Sequence, residues 1–283
     1  MDRPPMSYTP SRVRSLELRP VKTVSPTFKH YIGVNYSGAE TPISSLKNLR
    51  IYEADHLSRP HEIEPPPSPR KYWTRRGIAE WLVAKLSAGL PTLVSLDHGF
   101  SFTLSYFERY VLPLNWPLFL DDFQRHWPTD DDRTYVDFVR DGSCGNAAAR
   151  SGDSHWRRMT EVRSGAKSVF HFDVPGSVAK STHAGLPWLR YLRNQTAGQV
   201  HFWPFDGWDV PVGKSVVVEA YPALWSHSFS RDGRNPDQHD AYTIAEWLRR
   251  SDLDGSLERF FKPSLEPSER KVAEIEGWIL GVL

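Results

Sequence analysis

The segment KHYIGVNYSG, residues 29–38, contains a short apolar run that ends in a polar turn with glycine. This pattern is typical of a buried strand that leads into a loop. Residues 46–54 (LKNLRIYEA) alternate apolar and polar side chains and predict a neighbouring antiparallel strand. Folding is therefore expected to begin near residue 29. Residues 1–28, which mix Pro, Ser and Arg with little apolar periodicity, are expected to form an extended N-terminal arm.

Strands and helices are then predicted to alternate along the chain. A helix is expected to begin at Thr74, and buried strands are expected at 92–97 (TLVSLD) and 215–219 (SVVVE). Residues 238–250 again have apolar positions at helical spacing. The region 103–195 is interpreted as a long insertion of helices and loops. This alternation predicts an α/β fold, with a mixed sheet flanked by helices.

Composition limits the classes of function. The chain has 35 Lys and Arg residues against 34 Asp and Glu, so its net charge is +1 and any basic surface must be local. The mean hydropathy is −0.51, and no apolar run approaches the roughly 18 residues of a membrane span, so we expect no membrane partner. The chain has no apolar signal segment near its first residue, and its single Cys144 cannot form an internal disulfide. These features predict a cytoplasmic protein.

Polar side chains end the predicted strands. Asn35, Asp97 and Glu219 hold this position on three of them. In open α/β sheets the carboxyl ends of the strands border the ligand crevice. Asp237 and Asp240 are three residues apart on the late helix and therefore share one face. An acid at a strand end also commonly caps the next helix, so a shared site and separate structural roles both remain open.

The order of these segments resembles the ribonuclease H-like superfamily. The segments IGVNYSGA (32–39), VEAYPALW (218–225) and HDAYTIA (239–245) are similar to those of a large group of predicted nucleases with that fold. The last of them is also similar to the final catalytic helix of bacterial Holliday-junction resolvases, where an Asp-Ala pair follows another acid by three residues. The resemblance covers most of residues 29–250. It implies a ribonuclease H-like domain over 29–283, with the insertion at about 103–195.

The resemblance implies metal-dependent hydrolysis of a nucleic-acid phosphodiester bond. Two divalent cations stabilise the entering and leaving oxygens in such a reaction. Mg²⁺ and Mn²⁺ prefer carboxylate oxygens as ligands. Carried over by position, Asp97, Glu219 and Asp240 would hold the ions, and Asn35 would take the place of the first-strand Asp that bridges them.

Asn35 departs from the family pattern, because an amide offers one neutral oxygen where the family has an anionic one. Two hypotheses follow. The chain is either a nuclease that works with one metal ion, or a catalytically degenerate binding module of the same fold for nucleic acid or a protein partner. A third hypothesis, an actin-like phosphotransferase, lacks evident phosphate-gripping glycine hairpins. The substrate and the oligomeric state stay open.

Further acidic and imidazole groups are candidates for the same site. Glu80 lies on the helix after the early strands, and Asp237 and His239 lie beside Asp240. Each also has an ordinary structural interpretation. Glu80 fits a solvated helix face, Asp237 fits N-terminal helix capping after a proline, and His239 fits a hydrogen-bonded structural histidine.

Candidate substrate contacts lie elsewhere in the sequence. Lys180, Thr182 and His183 are expected near the start of a helix, where they would face a phosphate. The segment fails the P-loop pattern because position 179 is Ala, so a plain helix start is the main interpretation. Arg76 belongs to a group of arginines near tryptophans, which suits single-stranded nucleic acid but is also typical of solvated surface. The members of this group are Arg75, Arg76, Arg157, Arg158 and Arg163, beside Trp73 and Trp156.

Overall fold

A mixed sheet forms the centre of the molecule. The computed structural model describes residues 27–65 and 71–283. Its strands are β1 (His30–Asn35), β2 (Arg50–Asp55), β3 (His61–Glu62), β4 (Thr92–Leu96), β5 (Val200–Phe202) and β6 (Ser215–Glu219). They form one six-stranded sheet in the order β3-β2-β1-β4-β6-β5. Strands β1, β2 and β3 pair antiparallel, whereas β4, β6 and β5 continue the sheet from β1 in parallel.

Helices cover both faces of this sheet. They are α1 (Arg75–Leu86), α2 (Leu104–Arg109), α3 (Trp116–His126), α4 (Val136–Arg140), α5 (Met159–Ser164), α6 (Ala179–Thr196), α7 (Pro236–Leu253), α8 (Leu257–Phe261) and α9 (Pro267–Glu276). Helix α7 packs on β1 and β2, while α6 packs against α1 and α3 on the other face. The predicted fold class, an α/β protein with a mixed sheet flanked by helices, is confirmed.

Alternating side chains of the strands separate two hydrophobic clusters. Val34 on β1 and Leu96 on β4 pack in the cluster that contains α1, α3 and α6. Tyr31 on β1 and Leu93 on β4 pack in the cluster on the α7 side. Successive residues of a strand point to opposite faces, so the residue number along a strand decides which helices a side chain meets. This rule also determines which polar strand-end residues can share a site.

Glycine allows α7 to lie directly on β1. A Cβ atom at Gly33 would collide with the carbonyl oxygen of Ala241 and would lie 2.7 Å from the amide nitrogen of Ala245. The N-terminus of α7 is capped by Asn235, which forms a capping box with Gln238. The first two turns of α7 are thereby fixed beside the carboxyl end of β1.

The first helix begins as the sequence predicts. The side chain of Thr74 accepts a hydrogen bond of 2.9 Å from the amide of Gly77, which caps α1. The predicted arm, residues 1–28, lies outside the described residues up to position 26. Phe28 is buried, and its amide donates a 2.9 Å hydrogen bond to Asp252 at the end of α7.

The region predicted as an insertion, residues 103–195, contains α2 to α6. Its last helix, α6, is a layer of the fold, since it packs on α1 and α3 and buries residues such as Leu186 and Leu189. Across residues 27–65 and 71–283, none of the helices has the length and apolar character that a membrane crossing needs.

Candidate functional site

The register of the sheet places Asn35 beside Asp97. Val34 pairs with Leu96 in the parallel β1–β4 ladder, and the amide of Asp97 donates a 3.0 Å hydrogen bond to the carbonyl oxygen of Val34. Asn35 and Asp97 are each one residue further along, so both belong to the face of the sheet that α7 covers. Two of the predicted site residues are therefore neighbours at one edge.

Helix α7 brings Asp237 and Asp240 to the same edge. The Asn35 amide group donates a 2.8 Å hydrogen bond to the carbonyl oxygen of Asn48 and a 3.3 Å bond to the carboxylate of Asp237. Asp240 lies one turn further along α7 and is half-buried, as Asp97 and Asp237 are. The structure therefore brings together four of the residues predicted from the sequence.

The charge of Asp240 raises the pKa of Asp97, and the charge of Asp237 raises the pKa of Asp240. The pKa of Asp97 lies well above its usual range, first because its carboxyl group is desolvated and then because of the negative charges of Asp240 and Glu219. Burial also raises the pKa of Asp240, and Asp237 adds to this shift while His239 opposes it. This negative charge is incompletely neutralised, and a bound cation would relieve it.

Among Asp97, Asp237 and Asp240, the negative charge of Asp237 is the best neutralised by neighbouring groups. Burial raises the pKa of its carboxyl group, whereas the positive charge of Arg50 and the hydrogen bond from Asn35 lower it. For Asp97 and Asp240, neither a salt bridge nor a hydrogen bond from another described residue neutralises the carboxylate. These two carboxylates are the ones most available to a ligand.

Glu219 faces the other side of the sheet. It pairs in register with Leu96, so it shares a face with Leu96 and not with Asp97. Both of its oxygens bind Arg158, at 2.6 and 2.7 Å, and one also accepts a 3.0 Å hydrogen bond from the amide of Phe100. Its exposure is 3%. The structure therefore places Glu219 in a buried ion pair on the face of the sheet opposite Asp97, although its negative charge still raises the pKa of Asp97.

The candidate oxygen donors include fewer free carboxylates than the sequence predicts. Across the described residues, no group of three or more His, Cys, Asp and Glu side chains is already arranged to hold a metal ion. Asn35 contributes no charge, and Arg158 neutralises Glu219. Carboxylate oxygens are nevertheless the donors that Mg²⁺ and Mn²⁺ prefer. Asp97, Asp237 and Asp240 are the carboxylates near this end of the sheet that could supply such donors, but they are not arranged around a common point.

The further acidic and imidazole candidates take different positions. Glu80 is exposed on α1, which packs on the face opposite α7. His239 lies beside Asp240 but is buried, with Nε2 3.0 Å from the carbonyl oxygen of Ser226. His239 therefore acts on the site through its effect on the Asp240 carboxyl, as described above.

The predicted substrate contacts on α6 are engaged within the protein. Lys180 forms a 2.8 Å salt bridge with Asp137 on α4. The hydroxyl of Thr182 is buried and accepts a 2.9 Å hydrogen bond from the amide of Gly99. The ring of His183 is buried among aromatic side chains, and desolvation lowers its pKa to about 3. Thr182 and His183 therefore have no surface to offer a substrate.

Arg76 lies at the surface of α1. It forms a 2.5 Å salt bridge with Asp132, and both side chains are partly exposed. The exchange of this partner for a phosphate would require only that an exposed ion pair open, which costs little.

Arg75 and Arg158, two arginines of the group that the sequence offers as a basic surface for nucleic acid, are instead buried and hold the site from within. Arg75 is fully buried and donates hydrogen bonds to the carbonyl oxygens of Ser37, Ala39 and Glu40, at 3.0, 2.6 and 2.6 Å. It thereby fixes the loop that follows Asn35. The sequence indicates that Arg75 directly follows the helix cap, but it does not indicate that the side chain binds the loop after β1.

Arg158 connects the segment before α5 to the central sheet. It binds Glu219, as described above, and also donates a 2.8 Å hydrogen bond to Glu161. No signal in the sequence links it to a strand end 61 residues away.

Comparisons of the chain with protein-family models, with curated proteins and with solved structures give no match. Function is therefore inferred from the side chains at the carboxyl ends of β1 and β4.

Proposed function

We propose that the chain is a ribonuclease H-like hydrolase that cleaves a nucleic-acid phosphodiester bond with the help of Mg²⁺ or Mn²⁺. The ends of β1 and β4 lie side by side in the sheet, and the late helix α7 covers them. This arrangement agrees with the order of segments on which the resemblance to ribonuclease H-like nucleases depends. Asn35 differs from the family pattern.

One observation carries the proposal. Asp97 follows β4, whereas Asp237 and Asp240 lie on α7, yet the charge of Asp240 raises the pKa of Asp97 and the charge of Asp237 raises the pKa of Asp240. A fold does not bring three half-buried carboxylates together without a cost, because each raises the energy of the others when charged. Perturbed carboxyl groups of this kind are concentrated at functional sites.

Asp97, Asp237 and Asp240 would hold the cation. A bound divalent cation polarises a phosphoryl oxygen and lowers the pKa of an attacking water molecule. Asn35 orients Asp237 by the 3.3 Å hydrogen bond from its amide nitrogen. Arg75 holds the adjoining loop, which keeps the end of β1 in place. The neutral amide of Asn35 supports a centre with one ion.

A cleavage assay tests this proposal. Purified protein is incubated with labelled single-stranded, double-stranded, hybrid and branched substrates in Mn²⁺, beside the variants Asp240→Asn and Glu80→Gln. We expect cleavage by the wild type and by Glu80→Gln, whose acid lies on the opposite face, and loss of cleavage in Asp240→Asn. Cleavage that is equal in all three proteins would contradict the proposal, because it would come from a contaminant.

A second candidate function is a binding module of the same fold without catalysis. The capture of Glu219 by Arg158 favours it, since that ion pair leaves fewer carboxylates for metal ions than the family pattern has. The same labelled substrates distinguish the two functions. A binding module would raise the fluorescence anisotropy of a labelled substrate. The substrate would still have its full length after long incubation with Mn²⁺.

A further inference from the structure

A small cavity lies beneath the candidate site, on the opposite face of the sheet. Its volume is about 10 Å³, and its walls come from the ends of β1 and β4 and from α1 and α6. Every residue that lines it is buried. Tyr36 and His98 are in its wall, and they directly follow Asn35 and Asp97 in the chain. The cavity therefore adjoins the two strand ends that form the site.

Three polar atoms of the cavity wall have no hydrogen-bond partner among the described residues. They are the hydroxyl of Tyr36, Nε2 of His98 and Nε1 of Trp188. Tyr36, His98 and Trp188 are 9%, 1% and 5% exposed. The other residues of the wall have no polar side-chain atoms. Each polar side chain of the wall thus has one atom without a partner among the described residues, although buried polar groups nearly always have one.

The chemistry of the three atoms is complementary. Nδ1 of His98 lies 2.9 Å from the carbonyl oxygen of Gly99, so Nδ1 carries the proton and Nε2 is an acceptor. A neutral imidazole carries a single proton, so its second nitrogen is free to accept a hydrogen bond. The indole of Trp188 can only donate, and the hydroxyl of Tyr36 can do either. The wall therefore presents two donors and one acceptor.

The rings of Tyr36 and His98 lie close together, and Trp188 lines the same cavity. The centroids of the Tyr36 and His98 rings are 4.6 Å apart. An ideal Cβ at Gly185 on α6 would lie 2.6 Å from Nε2 of His98, so this edge of the imidazole is turned toward α6, where Trp188 also lies. A buried water molecule needs about 10–15 Å³ and two to four polar partners, and this cavity offers both.

We propose that this cavity binds one water molecule, which accepts hydrogen bonds from Trp188 and Tyr36 and donates one to His98. The water joins the segments that follow Asn35 and Asp97 to helix α6. It therefore supports the geometry of the candidate site from below. This binding site is independent of whether the aspartates hold a metal ion.

Nuclear magnetic resonance tests the proposal on the full chain. The protein is labelled with ¹⁵N-tryptophan, and Trp188→Phe assigns the indole resonance. We expect a cross-peak between the Trp188 indole proton and a long-lived water. Trp203 is a matched control, because its Nε1 is also buried without a described partner but lies in the other hydrophobic cluster. A cross-peak at Trp188 that is missing at Trp203 supports the site, and no cross-peak at Trp188 overturns it.

A stability measurement provides a second readout. With water in the cavity, Tyr36→Phe removes a satisfied hydrogen bond and lowers the midpoint of denaturant unfolding. In a dry cavity the same substitution removes an unsatisfied buried hydroxyl and raises the midpoint. A lower midpoint therefore supports the proposal, and a higher one overturns it. Tyr36→Phe keeps the ring and its packing, so the variant is expected to fold.

Discussion

Asn35 determines how much charge the candidate site carries. Its amide nitrogen donates to the carbonyl oxygen of Asn48 and to Asp237, so its side chain is held in place by two acceptors. A carboxylate at this position could donate to neither. Asn35 therefore stabilises the fold in the absence of a cation, and its neutral amide would weaken the attraction for one.

Asn35→Asp is expected to change stability and metal affinity in opposite directions. Without a cation, the lost hydrogen bonds and the repulsion from Asp237 should lower the free energy of unfolding by about 1–3 kcal/mol. With Mn²⁺, the added carboxylate should raise the affinity. Thermal unfolding with and without Mn²⁺ measures both effects. Asn35→Ala is the control, since it removes the amide without adding charge; an equal Mn²⁺ response in both variants would contradict the placement of Asn35 in the site.

The raised pKa of Asp97 predicts a pH-dependent stability. In the folded state the neutral carboxyl is favoured, so Asp97 stabilises the fold below its unfolded pKa of about 3.9, and this contribution is lost as the pH rises through the folded-state pKa. Asp97→Asn does not titrate. In EDTA it should therefore be more stable than the wild type near pH 7 and similar to it near pH 4. Denaturant titrations at several pH values measure this difference, and a constant difference across pH would contradict it.

At the scale of strands and helices, much of the arrangement could be predicted from the sequence. Apolar runs predict β1, β4 and β6, and the cap at Thr74 predicts the start of α1. These signals are local, since they depend on periodicity and on residues within one turn. Asn35 ends β1 and Asp97 directly follows β4, its parallel neighbour. The sequence indicates the two strand ends, whereas their convergence is expected only from the resemblance.

The orientation of Glu219 could not be predicted in the same way. Glu219 is level with Leu96 in the β4–β6 ladder, whereas Asp97 is one residue beyond it. A difference of one residue in register moves a side chain to the opposite face of a sheet. Register depends on long-range pairing, and the partner Arg158 lies far away in the sequence. From the sequence alone, Glu219 is therefore equally consistent with a metal ligand and with a partner in an ion pair. Only the alignment of the strands distinguishes these two roles.

Glu219→Gln is expected to act mainly on stability. It leaves Arg158 buried with one fewer carboxylate, and removal of one partner from a buried ion pair costs about 3–5 kcal/mol. Denaturant unfolding measures this loss. The affinity for Mn²⁺ should stay close to that of the wild type. A large loss of Mn²⁺ affinity with unchanged stability would instead show that Glu219 is a metal ligand.

Gly33→Ala tests the contact between β1 and α7. The added methyl group has no space against the backbone of Ala241 and Ala245, so α7 must move away from the sheet. Overpacking of this kind costs about 1–3 kcal/mol. Because α7 carries Asp237 and Asp240, Mn²⁺ affinity should fall together with the free energy of unfolding. An unchanged Mn²⁺ affinity in the destabilised variant would indicate that Asp237 and Asp240 on α7 are not part of the site.

At the scale of the whole molecule, the two faces of the sheet have different tasks. The α7 face brings three aspartates together at the carboxyl ends of β1 and β4. The other face holds the Arg158 ion pair and the cavity beneath the site, and it includes α6 from the region predicted as an insertion. The face covered by α6 is packed and its charges are paired, and it holds the strands whose ends carry the unpaired aspartates on the α7 face.

A Mn²⁺ titration, followed by electron paramagnetic resonance or calorimetry, tests most directly whether the three aspartates form a cation site. We expect one Mn²⁺ per chain in the wild type and in Glu80→Gln, and none in Asp97→Asn or Asp240→Asn at the same concentrations. No binding to the wild type, or equal binding to Asp97→Asn, would contradict the cation site.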